Sequence, residues 1–438
     1  MNRLGRKLPS PPKRNKAMSE RDYYPATSEH LIRNAISSLN LTETARYSNS
    51  LQTVATCSLH TKKGDLVSEG AGKGLHCIVG ALAESVEHYL MQQPHENALI
   101  ATTTEIRKQP ALALDGIIAS LPAGHKKLDC VLMSDDLLAE PTKVPLILLQ
   151  PEAVVSEKLT IDPELSFMAR YSTNSGSAFG CSRNEAILHG LNEVIERHIL
   201  SNLLMTLCGQ HESMALYTLE PGTLEDAFSE LPDFIPNAKE MKILFYKSLF
   251  GNFFSIAVPK RPQGRYPICL LGSGCSMDLG TSIRRSATEL VQALELFDET
   301  ERAQDEKAYE LLDPCPSLRP LIKLDTLRNK IFNASPLFPA DTLTVEDQIS
   351  VITRRLNQTG FQVLSRCVKE LPNGCAVTQV YIPGFERFNL IRSGLPVVPQ
   401  RHLWSGRTAS YGGSYRCSVS WWNRSKQGKH YSFLLHLW

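Results

Sequence analysis

The chain has 438 residues, of which 42% are hydrophobic and 21% charged, with 47 basic against 45 acidic side chains. That balance is the composition of an ordinary globular protein and excludes both a strongly basic nucleic-acid binder and an acidic disordered chain. Eleven cysteines lie scattered without a Cys-x-x-Cys pair, and no apolar run of about 18 residues occurs. These features point away from a zinc site, a disulfide scaffold or a membrane span, and toward reduced thiols in a cytoplasmic protein.

In chain order, residues 1–20 hold six Lys or Arg and three Pro without an apolar stretch, the pattern of a disordered basic leader in which Met18 offers a second start. Order is expected from Tyr23 onward, with an amphipathic helix over 28–39 and a strand over 53–60 running into the turn Lys62-Lys63-Gly64-Asp65. Gly70-Ala71-Gly72-Lys73-Gly74 then reads as a glycine loop opening a helix over 77–91. On that helix Ile78, Ala81, Leu82, Ser85, Val86 and Tyr89 share one face, and Glu84 and Glu87 lie on the other. The loop is no Walker A motif, because Val67 stands where a glycine is required and neither Ser nor Thr follows Lys73. It is either a plain turn into a helix or an anion cradle at a helix N-terminus.

Apolar runs at 144–149, 242–246, 254–258 and 268–271 predict strands of one sheet system. A helix over 184–204 puts Ile187, Leu188, Leu191, Val194 and Ile195 on one arc and gathers Glu185, His189, Glu193, Glu196 and Arg197 into a stripe on the opposite one. A third helix over 282–300 turns Ile283, Ala287, Leu290, Val291 and Leu294 inward, and its Arg285 beside Glu289 reads as an ordinary surface ion pair. Strands resume at 361–368 and 376–382. Cys181 and Cys275 sit in glycine-rich segments with no base placed near them, and read as buried thiols rather than nucleophiles. Residues 401–438 carry all four tryptophans, six Lys or Arg and no acid, so this segment is either a basic aromatic extension or the product of a shifted reading frame.

The pairs Glu84-Ser-Val-Glu87 and Glu193-Val-Ile-Glu196 place two carboxylates at neighbouring positions on one helix face. Either pair alone is common on a solvated face. Two pairs in matching apolar frames, each after a glycine-containing segment, carry more. If the two helices face each other, four carboxylates converge on one small volume, where mutual repulsion protonates some of them unless cations are present. The natural filling is Mg2+ carrying a nucleotide triphosphate.

The segment YSTNSGSAFG at 171–180, leading into NEAILHGLNEVIER at 184–197, resembles the YcaO family of ATP-dependent peptide-backbone modifying enzymes. Gly72-Lys73-Gly74 followed by AESVE at 83–87, RSATELVQ at 285–292 after the Gly-Ser-Gly at 272–274, and IPGFE at 382–386 extend the resemblance over residues 21–400. It implies an α+β YcaO-type domain there, with mixed and antiparallel sheets and packed helices carrying the two Glu-x-x-Glu pairs. By the same resemblance Glu84, Glu87, Glu193 and Glu196 are the catalytic, Mg2+-holding residues, while Arg21, Ser28, Glu185, His189, Arg197 and Arg285 contact ATP. The chain departs from the family pattern at His88, where arginine is usual, at Ser175, and at Ala178 and Cys181, which replace polar residues.

The implied reaction is MgATP-dependent activation of backbone amides in a ribosomally made precursor peptide, forming azolines from Cys, Ser or Thr, as in thiazole/oxazole-modified microcin biosynthesis. Thioamide formation, or a noncatalytic accessory role in ribosomal protein modification, are the alternatives. The implied partners are the precursor peptide and either an E1-like protein or, for thioamides, a TfuA-type protein, with a homodimer allowed and neither nucleic acid nor membrane involved. Azoline-forming members tend to end in a proline-rich tail that reaches the active site, whereas here Pro396-Val-Val-Pro399 runs into the anomalous 401–438 segment.

Overall fold

A glycine-bearing strand running straight into an acid-bearing helix occurs three times in this chain, and the three units frame the site. The computed structural model describes residues 20–404 apart from 94–97, 136–139, 152–161, 163, 213, 221, 262–263, 325–326 and 328–342. The expected leader up to residue 19, with Met18, and the tail from 405 on lie outside the described residues.

Helix α1 (Pro25–Ser38) opens on a proline, whose missing N–H costs nothing at a helix start, and buries Ile32, Ala35 and Ile36. It packs near the first sheet, β1-β2-β3, formed by β1 (Leu41–Tyr47), β2 (Val54–Thr61) and β3 (Leu66–Lys73). Strand β3 feeds α2 (Cys77–Met91), so the expected glycine loop is in fact mostly strand. Its glycines serve close packing: a Cβ on Gly72 would lie 1.8 Å from the Cys77 carbonyl oxygen, and one on Gly70 would lie 2.3 Å from the Ser85 nitrogen. Only Gly74, at φ +84°, turns the chain.

Of the runs expected to form one sheet, 242–246 and 254–258 pair within one, whereas 144–149 falls in another. The latter sheet is β4 (Leu99–Thr102), β5 (Lys127–Met133) and β6 (Thr142–Pro145), where the apolar run at 144–149 continues as a short 3-10 turn, Leu146–Leu148. A second joins β12 (Leu364–Glu370), β13 (Ala376–Tyr381) and β7 (Ser177–Gly180) in that order. The last orders β11 (Gly272–Ser276), β10 (Phe253–Pro259), β9 (Met241–Lys247) and β8 (Tyr217–Thr218). Every strand pairing between these elements is antiparallel. The strand expected at 268–271 is absent, and Gly272–Ser276 takes its place, the Gly-Ser-Gly segment being strand rather than loop. Side-chain hydrophobicity could not reveal a strand made of Gly and Ser, which is buried because it lies flat against the following helix.

Strand β7 leads to α3 (Arg183–Leu207), capped by the Ser182 hydroxyl accepting the Glu185 N–H, and β11 leads to α4 (Leu279–Glu295), capped by Asp278. Helix α4 stops short of the expected residue 300 because Asp298 caps a new helix, α5 (Glu299–Leu312), in a reciprocal box with Glu301. Helix α6 (Val345–Gln358) follows. The largest apolar cluster joins α3 to β4–β6 and residues 380–397, a second holds α1, α2 and the first sheet, and a third packs α4 on β9 and β10. No helix among the described residues is long and apolar enough to cross a membrane.

Candidate functional site

Each acid of the two pairs is drawn onto a strand. On α2, Glu84 accepts the Ala71 N–H of β3 at 3.1 Å and stands 3.8 Å from His88 Nε2, while Glu87 accepts the Phe179 N–H of β7 at 3.0 Å. On α3, Glu193 accepts the Gly176 N–H at 3.3 Å, and Glu196 accepts the Ser273 hydroxyl of β11 at 2.6 Å. The chain at 176–179, a turn at Gly176 running into β7, therefore links Glu193 to Glu87. The helices do not press four carboxylates into one closed volume: among the described residues no three His, Cys, Asp or Glu side chains come together as a metal-binding group. Backbone N–H groups, each needing an acceptor, hold Glu84, Glu87 and Glu193 apart instead, and the Ser273 hydroxyl holds Glu196.

The charge balance still favours a cation. Burial raises the Glu84 and Glu196 carboxyls above the usual range and pushes Glu193 up to about 7, against the pull of Arg197 on the latter two. The Arg197 guanidinium lies 3.9 Å from Glu193 and 3.7 Å from Glu196, longer than hydrogen bonds. Glu289 of α4 behaves oppositely: burial pushes it up, but Lys73, whose ammonium pairs with it, and Arg197 outweigh that and hold it below the usual range. His189 is exposed, yet crowding by protein atoms and the charges of Arg285, Arg21 and Lys73 hold it well below its ordinary value, which favours the neutral imidazole.

Three features of this arrangement were not legible in the chain. Glu289 pairs with Lys73, 216 residues away, and not with Arg285. Arg285 is no surface residue; it binds the Glu20 carboxylate at 2.5 Å and the Cys275 carbonyl at 2.7 Å. Glu20 itself, assigned by composition to the disordered leader, is 4% exposed at φ +66° and also accepts from Asn192 at 3.2 Å. A single acid at the end of a basic stretch carries no sequence signal. Lys73 and Glu289 both stood inside recognised motifs, but nothing local joined them.

The remaining expected residues divide. Glu185, 2% exposed, spends its carboxylate on the Cys181 N–H at 2.9 Å and on the Asp22 N–H, clamping the N-terminal segment to the start of α3. Ser182 adds a hydroxyl bond to Asp22 at 2.6 Å. Arg21, next in the chain, is close enough to act on His189. Ser28 is buried within α1, where its carbonyl accepts the Cys181 thiol at 3.8 Å, and no described contact links it to the four glutamates.

Mg2+ takes hard oxygen ligands and commonly binds through one or two carboxylates plus substrate phosphates, not a full protein cage. Two separated carboxylate pairs suit that habit. Burial raises the proton affinities of Glu193 and Glu196 despite the pull of Arg197, and a bound cation would favour their charged forms. Glu84, Glu87, Glu193 and Glu196 thus have the donor chemistry that Mg2+ takes, with Lys73 and Arg197 as neighbouring cations.

Among solved structures the chain is similar to YcaO from Methanopyrus kandleri bound with AMPPCP and Mg2+, at 16% identity and a TM-score of 0.58, covering 88% of this chain and 98% of that one. A heterocyclase in complex with substrate and cofactor has a TM-score of 0.58 at 19% identity over 86% of this chain and 55% of the other, so this chain spans about half the length of that heterocyclase. The E. coli microcin synthetase McbBCD complex follows at a TM-score of 0.50 and 15% identity, over 79% of this chain and 88% of that one. At these identities the likeness is one of fold. No curated protein sequence matches. Residues 71–386, which include all three acid-bearing helices, match the family model "YcaO cyclodehydratase, ATP- and Mg2+-binding". The chain belongs to the YcaO family, shares its α+β fold, and has ATP and Mg2+ as its cofactors.

Proposed function

We propose that this protein activates backbone amides of a ribosomally made precursor peptide, forming azolines from Cys, Ser or Thr with loss of water. The observation that carries the reading is the set of carboxylates at Glu84, Glu193 and Glu196, half-buried or buried, whose proton affinities burial raises beside Lys73 and Arg197, in a chain of an ATP- and Mg2+-binding family. Bound MgATP supplies the phosphoryl group that turns the amide oxygen into a leaving group. Glu84, Glu87, Glu193 and Glu196 hold the metal. Arg197 sits too far from both of its acids for hydrogen bonds, which leaves its N–H donors for a ligand oxygen. Neutral His189 offers a hydrogen bond without adding charge.

The nucleophile comes from the substrate. A Cys, Ser or Thr side chain loses its proton and attacks the preceding carbonyl carbon, closing the ring; the former carbonyl oxygen then departs with the phosphoryl group as phosphate while the amide nitrogen gives up its proton and the C=N bond forms. No protein nucleophile is required, consistent with the burial of Cys181 and Cys275. An E1-like partner that presents the precursor fits this chemistry, and the structural likeness to a multi-protein microcin synthetase supports a partner.

Glu84→Gln and Glu193→Gln are expected to abolish precursor-dependent ADP release while leaving the circular dichroism spectrum unchanged; wild-type turnover in both refutes the assignment. Mass spectrometry of the coexpressed precursor separates loss of one water, marking azolines, from exchange of oxygen for sulfur, marking a thioamide enzyme with a TfuA-type partner. Titration with ATP and Mg2+ that shows no binding assigns the chain to a noncatalytic accessory role.

A further inference from the structure

Strands β13 and β7 pair Val377 with Phe179 and Ala376 with Gly180. The Phe179 N–H points away from β13, to Glu87, which makes 377/179 a non-hydrogen-bonded pair. Such pairs alternate along an antiparallel ladder, so the next of the same kind is 375/181, where both residues are cysteine. The Cys181 N–H indeed points outward, to Glu185. At non-hydrogen-bonded pairs the Cα atoms lie about 4.5 Å apart with side chains on one face, inside the span of a disulfide. The two thiols lie close enough to act on each other's protonation, which favours thiolate at Cys181 and disfavours it at Cys375. Both belong to the apolar cluster that includes Phe179 and Val377.

We infer that Cys181 and Cys375 are a covalent modification site, closing to a cross-strand disulfide when hydrogen peroxide oxidises Cys181 and thereby loosening the nucleotide cradle. The Cys181 thiolate attacks a peroxide oxygen, the O–O bond breaks, and the departing hydroxide takes a proton to leave as water, giving a sulfenic acid. The Cys375 sulfur then attacks that sulfur; the S–O bond breaks, the S–S bond forms, and the Cys375 proton leaves with the hydroxide as a second water. Two thiols and one peroxide become one disulfide and two waters. Burial restricts the reaction to small oxidants.

A disulfide usually holds its Cα atoms about 5.5–6 Å apart, wider than the about 4.5 Å of such a pair, so closing it pushes the peptide at Cys181 off its place against β13. That peptide's N–H is one of the two that Glu185 holds, and the other fixes Asp22 beside Arg21. Two residues before Cys181, Phe179 holds Glu87. The coupling to nucleotide binding rests on the function proposed above.

The test treats the full-length protein with hydrogen peroxide and maps unreduced peptides by mass spectrometry. The expected product is a pair joined through Cys181 and Cys375, two hydrogens lighter and restored by dithiothreitol. Affinity for methylanthraniloyl-ATP with Mg2+ should fall about tenfold on oxidation, the worth of one hydrogen bond to a charged group, and recover on reduction. Cys375→Ser, or Cys375→Ala if serine prevents folding, should leave Cys181 as a sulfenic acid trapped by dimedone, with affinity retained. Cys181 recovered as free thiol, or joined to a different cysteine, overturns the inference; a 181–375 disulfide with unchanged affinity overturns the coupling. Reduced protein that binds no nucleotide refutes the proposed function, and the peptide map still decides the modification.

Discussion

Arg285 of α4 binds Glu20 through Nη2 at 2.5 Å, closing a contact across 265 residues, while its Nη1 donates to the Cys275 carbonyl at 2.7 Å. This pair anchors the N-terminal segment against the third glycine-strand and helix unit. It thereby sets Arg21 near His189 and Asp22 against Glu185.

Removing Glu20 should therefore cost more than a surface acid would. Glu20→Ala strands a largely buried guanidinium, and the loss is expected at about 3 kcal/mol in urea denaturation. Glu20→Gln keeps hydrogen-bond acceptance and should lose less than half of that. Equal stability of Glu20→Ala and wild type would show that the pair holds nothing in place.

The close approach of β3 to α2 makes a second prediction. A Cβ at Gly72 would fall 1.8 Å from one backbone atom of α2 and 2.5 Å from another, and backbone cannot swing aside as a side-chain tip can. Gly72→Ala should destabilise by about 3 kcal/mol, the upper end for overpacking, and weaken nucleotide binding by shifting Glu84. Gly264→Ala, where nothing lies within 4 Å, is the control and should melt like wild type. Matching melts for both variants would mean that α2 does not pack on β3 as described.

Stability should also fall with rising pH through Glu386. Burial pushes its carboxyl up to about 7 from the usual 4.5, although both oxygens accept the Gln400 N–H, at 3.1 and 3.0 Å. The folded state binds this proton more tightly than the unfolded chain does. The associated stability is therefore complete below about pH 4.5 and lost as pH rises through about 7, a change of about 3 kcal/mol at most. Glu386→Gln cannot titrate, so urea midpoints measured from pH 5 to pH 8 should decline more steeply for wild type than for the variant. Parallel slopes would remove Glu386 as the source.

What the chain declared unaided was local. The apolar period of 77–91 and of 184–204 placed Glu84, Glu87, Glu193 and Glu196 on α2 and α3, because helix periodicity and i, i+3 spacing are properties of neighbouring residues. The resemblance carried by motifs between Gly72 and Glu386 anticipated a family to which the chain belongs. Tertiary structure alone decided which strands share a sheet, since the backbone bonds that join β7 to β13 leave no trace in side-chain pattern. It made strands of the segments at 70–73 and 272–276, whose glycines and serines carry little hydrophobic signal and are chosen for contact with a helix backbone. It also paired Lys73 with Glu289 and Arg285 with Glu20, and tied the acids to β3, β7 and β11 in place of one shared cluster. Those outcomes depend on which distant groups meet once the core closes, where each buried N–H and each buried charge must find a partner.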